Sequence, residues 1–414
     1  MEFEQVYRDA LGRALRGEEP LETSREEGRQ LDCLLHPKDY PPVLRLNECS
    51  CGAGEEHCAA ACLFNAIVRD AQGKLTIDPK LCSGCGACIE ACKSGNLTAS
   101  RDVLPTLDAL KHAEGPAFAL IAPAFHGQFS SEVTPGKLRA AFKQLGFTGM
   151  VEVALFADIL TLKEALEFDC HVNSEEDFQL TSCCCPIWIG MIRKQYPELM
   201  KHVPGAVSPM IAAGRAVKQL HPDALTVFVG PCIAKKAEAR ETDVVGAVDY
   251  VLTFQEVRDI FQAADIRPEE LEESERDHSS RAGRIYAHTG GVSEAVCSTV
   301  AQLRPDRSIP VRAVQADGVQ ACRTLIESIK KGEYTANFFE GMGCSGGCVG
   351  GPKVLVDPDS GRRNVEKYGE TATYATPLEN PYVPEMLRRL GFSSVEDFLY
   401  RSDIFVRHFL GDNA

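Results

Sequence analysis

The run Cys82-Ser-Gly-Cys85-Gly-Ala-Cys88-Ile-Glu-Ala-Cys92 constrains this chain more than any other segment, because it sets four thiols at C-x2-C-x2-C-x3-C spacing. The chain holds 18 cysteines in all. Its opening residues, MEFEQVYRDALGRALRGEEP, mix charged and apolar side chains at helical spacing without an apolar signal core. The expectation is therefore a cytoplasmic protein in a reducing compartment, where so many thiols serve metals rather than disulfides. No stretch approaches the roughly 18 uninterrupted apolar residues of a membrane span, which predicts no membrane insertion. The formal net charge of −15 argues against nucleic-acid binding, since neutralising phosphates takes clustered positive charge. A local basic patch for an acidic protein partner stays compatible with it.

Nine cysteines lie at or before Cys92 and none follows until Cys170, so the chain divides into two functional blocks. Residues 1–45 read as a helical amino-terminal extension ending in the Pro-rich HPKDYPPV, and 46–100 as a compact cysteine-rich unit. From about 115 to 375, apolar runs (AFALIAPAF, MVEVALF, LTVFVG, YVLTF, VRAVQA, NFF) alternate with amphipathic stretches such as TPGKLRAAFKQLGF and QACRTLIESIKKG. That alternation predicts an α/β domain with a largely parallel sheet. Residues 376–414 read as a Pro-rich lead into a helical carboxy-terminal tail, SSVEDFLYRSDIFVRHFL.

The spacing from Cys82 to Cys92 is that of a bacterial ferredoxin half, in which three thiolates wrap one [4Fe-4S] cluster and the fourth reaches a second. Upstream, Cys49, Cys51, Cys58 and Cys62 end in the same C-x3-C step. Cross-ligation as in two-cluster ferredoxins assigns Cys62, Cys82, Cys85 and Cys88 to one cluster, and Cys49, Cys51, Cys58 and Cys92 to the other. A pair of zinc sites is the alternative, since C-x2-C suits zinc too, although zinc gives no reason for the full order. The proline that often follows the fourth cysteine is absent, with Leu63 and Lys93 in its place. The unit thus resembles a small α+β bacterial ferredoxin-like domain in its ligand pattern.

Three later segments place cysteines just after predicted strands: LTSCCCPIW (Cys183, Cys184, Cys185), FVGPCIAKKAE (Cys232) and FFEGMGCSGGCVGGP (Cys344, Cys348). In open α/β sheets, ligands bind in the crevice outside the carboxyl ends of strands. These segments resemble, in the family's order, the three cluster-binding signatures of [FeFe] hydrogenases, T-S-C-C-P-x-W, P-C-x-x-K-x-x-E and E-x-M-x-C-x-x-G-C. The resemblance covers about residues 45–375 and implies an α/β hydrogenase catalytic domain behind the ferredoxin-like one. It further implies an H-cluster, a [4Fe-4S] cluster bridged by a cysteine to a diiron subcluster with CO, CN and dithiolate ligands.

Carried over by motif, Cys185, Cys232, Cys344 and Cys348 are the cubane ligands, with Cys348 also bridging to the diiron subcluster. Cys184 matches the proton-transferring thiol, Lys235 a residue that hydrogen-bonds a cyanide, and Met342 a soft residue lining the diiron unit. Pro123, Ala124 and Thr289-Gly290-Gly291 resemble further pocket segments, and Pro231 precedes the second motif's cysteine. Glu164 and Glu167, three apart and so on one helix face, are proton-relay candidates together with Glu238. The alternative for the first two is solvated helix charge. The relay serine of the family is not evident near KHVPGAV.

Two departures mark a divergent, group B-like member. The first motif carries a third cysteine, Cys183, either inert or a second proton carrier, and the second motif begins Gly230-Pro231 where Met-Pro is common. The remaining Cys33, Cys170, Cys297 and Cys322 are expected to be core thiols.

The implied reaction, 2H⁺ + 2e⁻ ⇌ H₂, has a potential falling about 59 mV per pH unit and standing at roughly −0.41 V near pH 7, within the range of iron–sulfur clusters. The resemblance implies a soluble low-potential electron carrier such as ferredoxin, and hydrogenase maturation proteins that make the diiron unit. A hydrogen-sensing regulatory protein with little turnover and a noncatalytic Fe-S assembly protein are the other functions such a chain could have.

Overall fold

The computed structural model describes residues 3–18, 25–47, 49, 51, 56–181, 184–273 and 278–409. Two helices, Phe3–Arg16 and Arg25–Leu35, open the chain where one was expected. The first buries Phe3, Val6, Tyr7, Ala10 and Leu11, which share one face at helical spacing. That face packs on the helix Val103–His112, and the Tyr7 ring carries the Arg101 guanidinium at 3.8 Å.

The extension gives way to the cysteine-rich unit slightly earlier than expected, because β1 (Val43–Arg45) pairs antiparallel with β4 (Leu97–Ala99). Between them β2 (Ile67–Arg69) and β3 (Leu75–Ile77) form a hairpin. Its turn is built by Asp70, whose carboxylate accepts from the Gln72 and Lys74 amides, and by Gly73 at φ +77°. The short helices His57–Ala60 and Ala87–Ala91 complete an α+β unit.

Seven strands follow, in two sheets whose pairings are all parallel. Strands β5 (Ala117–Ile121), β6 (Gly149–Glu152), β8 (Leu225–Gly230) and β9 (Tyr250–Thr253) form one in the order β6-β5-β8-β9. Strands β7 (Gln179–Leu180), β10 (Ala313–Asp317) and β11 (Phe338–Met342) form the other in the order β10-β11-β7. The central strands β5, β8 and β11 are the apolar runs, as burial on both faces requires. The strand expected just before the cysteines of LTSCCCPIW is present as β7, but it is only two residues long. The run MVEVALF divides, with β6 ending at Glu152 and the helix Ala154–His171 starting two residues later. That helix is apolar on most of its circumference and lies buried.

Three buried side chains tie the front unit to the second block. Lys236 Nζ donates to the Val251 carbonyl at 2.7 Å and lies 3.1 Å from Glu256 and 3.3 Å from Asp102. Asp102 stands where the chain leaves the cysteine-rich unit, and its amide donates to Glu256 at 3.0 Å.

Strand β11 approaches the helix Pro186–Gln195 so closely that a Cβ on Gly341 would fall within the Trp188 ring. Gly341→Ala is therefore expected to displace that ring and cost about 1–3 kcal/mol by overpacking. Trp188 is the chain's single tryptophan and is buried, so a red-shifted emission maximum with a lower urea midpoint checks this directly.

The carboxy-terminal segment is less helical than expected. Gly391, at φ +89°, lies between the short helices Tyr382–Arg389 and Val395–Tyr400. Beyond them Ser402 Oγ accepts from the Ile404 and Phe405 amides in a turn, and Val406 bridges to Ala206. Among the described residues no helix is long and apolar enough to cross a membrane.

Candidate metal centres and active site

The cysteine-rich unit gathers its thiols in two groups. Cys62, Cys82, Cys85 and Cys88 line one small cavity and act on one another electrostatically. Burial first, then this mutual repulsion, pushes Cys82 up to about 11 and Cys88 up to about 12. Cys49, Cys58 and Cys92 line a second cavity, and Cys51 feels the charges of all three. The cross-strand pair Ile67 and Ile77 lines both cavities and so stands between the groups. Each thiol group thus has four members, one of them from the opposite half of the sequence.

Among the described residues no three His, Cys, Asp or Glu side chains converge as for a single ion. A zinc ion, with its sulfurs at about 2.3 Å, needs tighter convergence than a cubane that takes one thiolate at each iron corner. The donor sets fit iron–sulfur clusters.

A third group is assembled from loops at the carboxyl ends of strands. Cys185 follows β7 and begins the helix Pro186–Gln195, Cys232 follows β8, and Cys344 and Cys348 follow β11. The Gly343 amide donates to Cys185 Sγ at 3.3 Å. Cys232, Cys344 and Cys348 each feel the charge of Cys185, and Cys344 also that of Cys85 in the front unit. The inner front group therefore adjoins the third group, with Phe64, Ile187 and Ala234 packed between them. Here the turn at Gly84 (φ +72°) comes so near that a Cβ would stand 3.1 Å from Ala234 Cα, the Ile233 carbonyl and Pro42.

Cys184 lies beside this group but is a fifth thiol. Burial pushes it well above the ordinary thiol range, with Cys185, Glu164, Cys348 and Glu340 adding to the shift. Lys235 is buried, and Nζ donates to Glu238 at 2.7 Å. Burial alone would discharge this amine; the charge and hydrogen bond of Glu238 outweigh it and hold it charged. Met342, at the end of β11, is buried, and its carbonyl accepts from Cys322 Sγ at 3.3 Å. Pro123 and Ala124 form a turn of 3-10 helix after β5, and Gly351 packs against Pro231. Thr289 is tied to the Cys344–Cys348 loop by its amide, which donates to the Gly346 carbonyl. Cys183 lies outside the described residues.

Glu164 and Glu167 are both buried on the helix Ala154–His171, so the solvated-charge alternative falls. Glu164 faces Cys184 electrostatically, whereas Glu167 pairs with the fully buried Lys163. Glu238 does not join them; it belongs to the Lys235 side and lies 3.8 Å from Arg407 of the carboxy-terminal segment. Of the expected core thiols, Cys33 and Cys322 are buried and Cys297 is partly so, but Cys170 is exposed because it ends its helix at the surface.

Sequence reasoning gave no role to two residues, although the first opens the E-x-M-x-C-x-x-G-C motif. Glu340 is buried within β11 and accepts from the Gly290 amide and from the Ser293 amide and hydroxyl at 2.7–2.8 Å, capping the helix Gly291–Leu303. A carboxylate inside the apolar run FFEGM was the available signal. Tyr286 feels both Glu164 and Cys184 and donates or accepts at Thr161 Oγ1 over 2.8 Å; no local pattern marks it.

His126, next to the 123–125 turn, stacks on Tyr368 with ring centroids 4.7 Å apart. Burial, then repulsion from Arg284 and Lys367, pushes it down to about 4. A depressed folded pKa gives stability that is present above the unfolded value, about 6.5, and lost as pH falls toward 4. His126→Phe, which keeps a ring for the stack, is expected to flatten that limb by about 2 kcal/mol between pH 7 and pH 5, as read from urea unfolding at those two values.

Residues 116–352 match the family described as "Iron only hydrogenase large subunit, C-terminal domain", and residues 75–98 match a "4Fe-4S binding domain". The chain is 30% identical over 298 residues to Iron hydrogenase 1 of Clostridium pasteurianum, covering 62% of this chain and 52% of that protein. It thus spans about half the length of that relative. It is 25% identical to the Cytosolic iron-sulfur assembly component 3 of Rattus norvegicus, over 74% of this chain and 78% of that one. The fold is shared with an apo [FeFe]-hydrogenase variant from Chlamydomonas reinhardtii at a TM-score of 0.62 and 22% identity, covering 74% of this chain and 98% of the other. With its matching domain filling more than half of the sequence, the chain belongs to the family of the iron-only hydrogenase large subunit, C-terminal domain, and carries a 4Fe-4S ferredoxin motif in front of it.

Proposed function

We propose that this chain is an [FeFe] hydrogenase, catalysing 2H⁺ + 2e⁻ ⇌ H₂. The observation that supports this most is Cys184, a half-buried thiol outside the four-sulfur set that is within electrostatic reach of Glu164 and of Lys235, itself paired with Glu238. A protein that held only a cubane would have no use for either. When bound, the H-cluster supplies the redox chemistry of proton reduction.

Cys185, Cys232, Cys344 and Cys348 would hold its cubane part, and Cys348 would also help to hold the diiron unit. Lys235 Nζ would donate to a cyanide, a small anion for which a compact ammonium in a buried pocket is suited. Met342 offers a soft sulfur to the same unit, and Pro123, Ala124 and Pro231 close its walls against water. Cys184 Sγ keeps its proton at neutral pH because burial disfavours the thiolate. It passes that proton to the reacting centre and regains one from Glu164. Glu167 stands next outward: burial raises its carboxyl pKa against the pull of Lys163. It lines an open cavity of about 400 Å³ with His171, His202 and Tyr400, where water can reload it.

The electron donor in this reading is a soluble low-potential carrier such as ferredoxin, and maturation proteins supply the diiron unit. The Cys49, Cys51, Cys58 and Cys92 group and the Cys62, Cys82, Cys85 and Cys88 group would hold the iron–sulfur clusters that supply electron transfer, the second group standing beside Cys344. The deciding experiment is hydrogen evolution from reduced methyl viologen by anaerobically purified protein loaded with the diiron cofactor, with infrared spectra of the same sample. Evolution with CO and CN⁻ bands supports the hydrogenase. Bands without turnover point to a hydrogen sensor. Failure to take up the cofactor favours the noncatalytic assembly role, the second reading, which the similarity to the rat assembly component supports.

A further inference from the structure

A cleft of about 610 Å³ opens at the junction of the amino-terminal connection, the cysteine-rich unit and the second block, and Cys82 of the inner thiol group lies on its wall. Six basic side chains line it, Lys38, Lys80, Arg193, Lys194, Arg240 and Arg407, against the two carboxylates Glu241 and Asp243. The lining sets six cations against two carboxylates, opposite in sign to the chain, whose net charge is −15, although Arg240 also lies 3.6 Å from Asp102 and Arg407 3.8 Å from Glu238. The residues come from separate parts of the sequence, so no single helix pattern accounts for the clustering.

Several of these cations are held in place. Lys194 Nζ donates to the Leu81 carbonyl at 3.3 Å, Arg240 to the Tyr40 carbonyl at 2.8 Å, and Arg407 Nε to Asp243 at 2.7 Å. Pairing with carbonyls leaves the positive charge of Lys194 in the cleft's field. Lys38 and Lys80 stand exposed at the rim, with Lys38 Nζ 4.3 Å above the Tyr250 ring. Fixed charge inside and exposed lysines at the rim make a site that attracts an anionic surface over a distance and then meets it.

We propose that this cleft is the docking site of an acidic one-electron carrier protein, and that electrons enter the chain at Cys82, by the inner thiol group, without first crossing the outer one. This rests on the hydrogenase reading for its purpose. In each transfer the carrier is oxidised by one electron and the iron–sulfur centre held by Cys62, Cys82, Cys85 and Cys88 is reduced by one; two transfers and two protons make up one H₂. A chain of net negative charge repels an acidic carrier in general, and a local basic cleft beside a redox centre overcomes that repulsion only where transfer is useful.

The test follows electrons into the chain rather than hydrogen, so it is decided even if no hydrogen is evolved. A photoreduced plant-type [2Fe-2S] ferredoxin is mixed by stopped flow with excess oxidised holoprotein, and its re-oxidation is timed at several salt concentrations. The expected result is a rate that falls steeply with salt and drops at least tenfold in the Lys38→Glu/Lys80→Glu variant, while oxidation of the methyl viologen radical cation stays within twofold. The milder Lys38→Gln/Lys80→Gln variant should fall between. Wild-type ferredoxin rates in both variants would overturn the proposal, as would equal slowing with viologen. So would an effect seen instead in Arg45→Glu, beside the outer group.

Discussion

Replacing Cys184 by alanine is expected to lower hydrogen evolution by about 10²–10⁴-fold, the contribution of a positioned proton donor, while the iron–sulfur absorption and paramagnetic spectra stay those of the parent. The two outcomes separate because Cys184 is adjacent to the four-thiol set without belonging to it. Cys185, not Cys184, is the sulfur that accepts from the Gly343 amide and begins the next helix. A small apolar residue there leaves that geometry intact, but neither Glu164 nor Lys235 can then reach the site with a transferable proton. Serine keeps a hydroxyl of far higher pKa and should recover little. Turnover at the parental rate in Cys184→Ala would remove this thiol from the mechanism and leave the proton donor to be found elsewhere.

The second large effect is on stability. Lys236→Met is expected to cost about 3–5 kcal/mol, because it strips the cation from Asp102 and Glu256 and leaves two carboxylates buried. Methionine fills the volume of the lysine stem, so lost packing contributes little. In Lys236→Met/Asp102→Asn/Glu256→Gln both buried carboxylates are neutralised and Arg240 alone gives up an ionic partner, 3.6 Å away at Asp102, so much of the loss should return. Chemical unfolding of the three proteins measures both numbers; a single variant as stable as the parent would show that the pair of carboxylates finds other compensation. Because Asp102 adjoins the cysteine-rich unit, partial unfolding of the front block should precede the main transition in the single variant.

What could be read in advance depended on whether chemistry was written locally. The order Cys82 to Cys92 carries its own geometry, and the three later motifs each sit on the turn after a strand, so thiol groups and strand runs could be placed from sequence. The shortness of β7 and its pairing to β11 could not, since both are long-range facts. Glu167 looked identical to any helix glutamate until Lys163 was found buried against it. Cys170 looked like Cys322, yet one terminates a helix at the surface and the other lies under Met342. Tyr286 reaches Thr161 and Glu164 through folding alone. Ion pairs such as Arg407 with Asp243 join segments separated by most of the second block, and no spacing rule foretells them.

The glycine turn at Gly84 bears on how charge travels inside the molecule. With three backbone or ring atoms each 3.1 Å from where a Cβ would stand, the front unit has no slack against residues 233–234 and cannot act as a swinging arm. On the hydrogenase reading proposed above, the spacing between successive redox centres is then fixed once, at folding, and internal electron transfer is expected to run as tunnelling through a rigid medium rather than as a diffusive search. Thickening the solvent with glycerol should slow arrival of the external carrier and leave the internal step at its original rate.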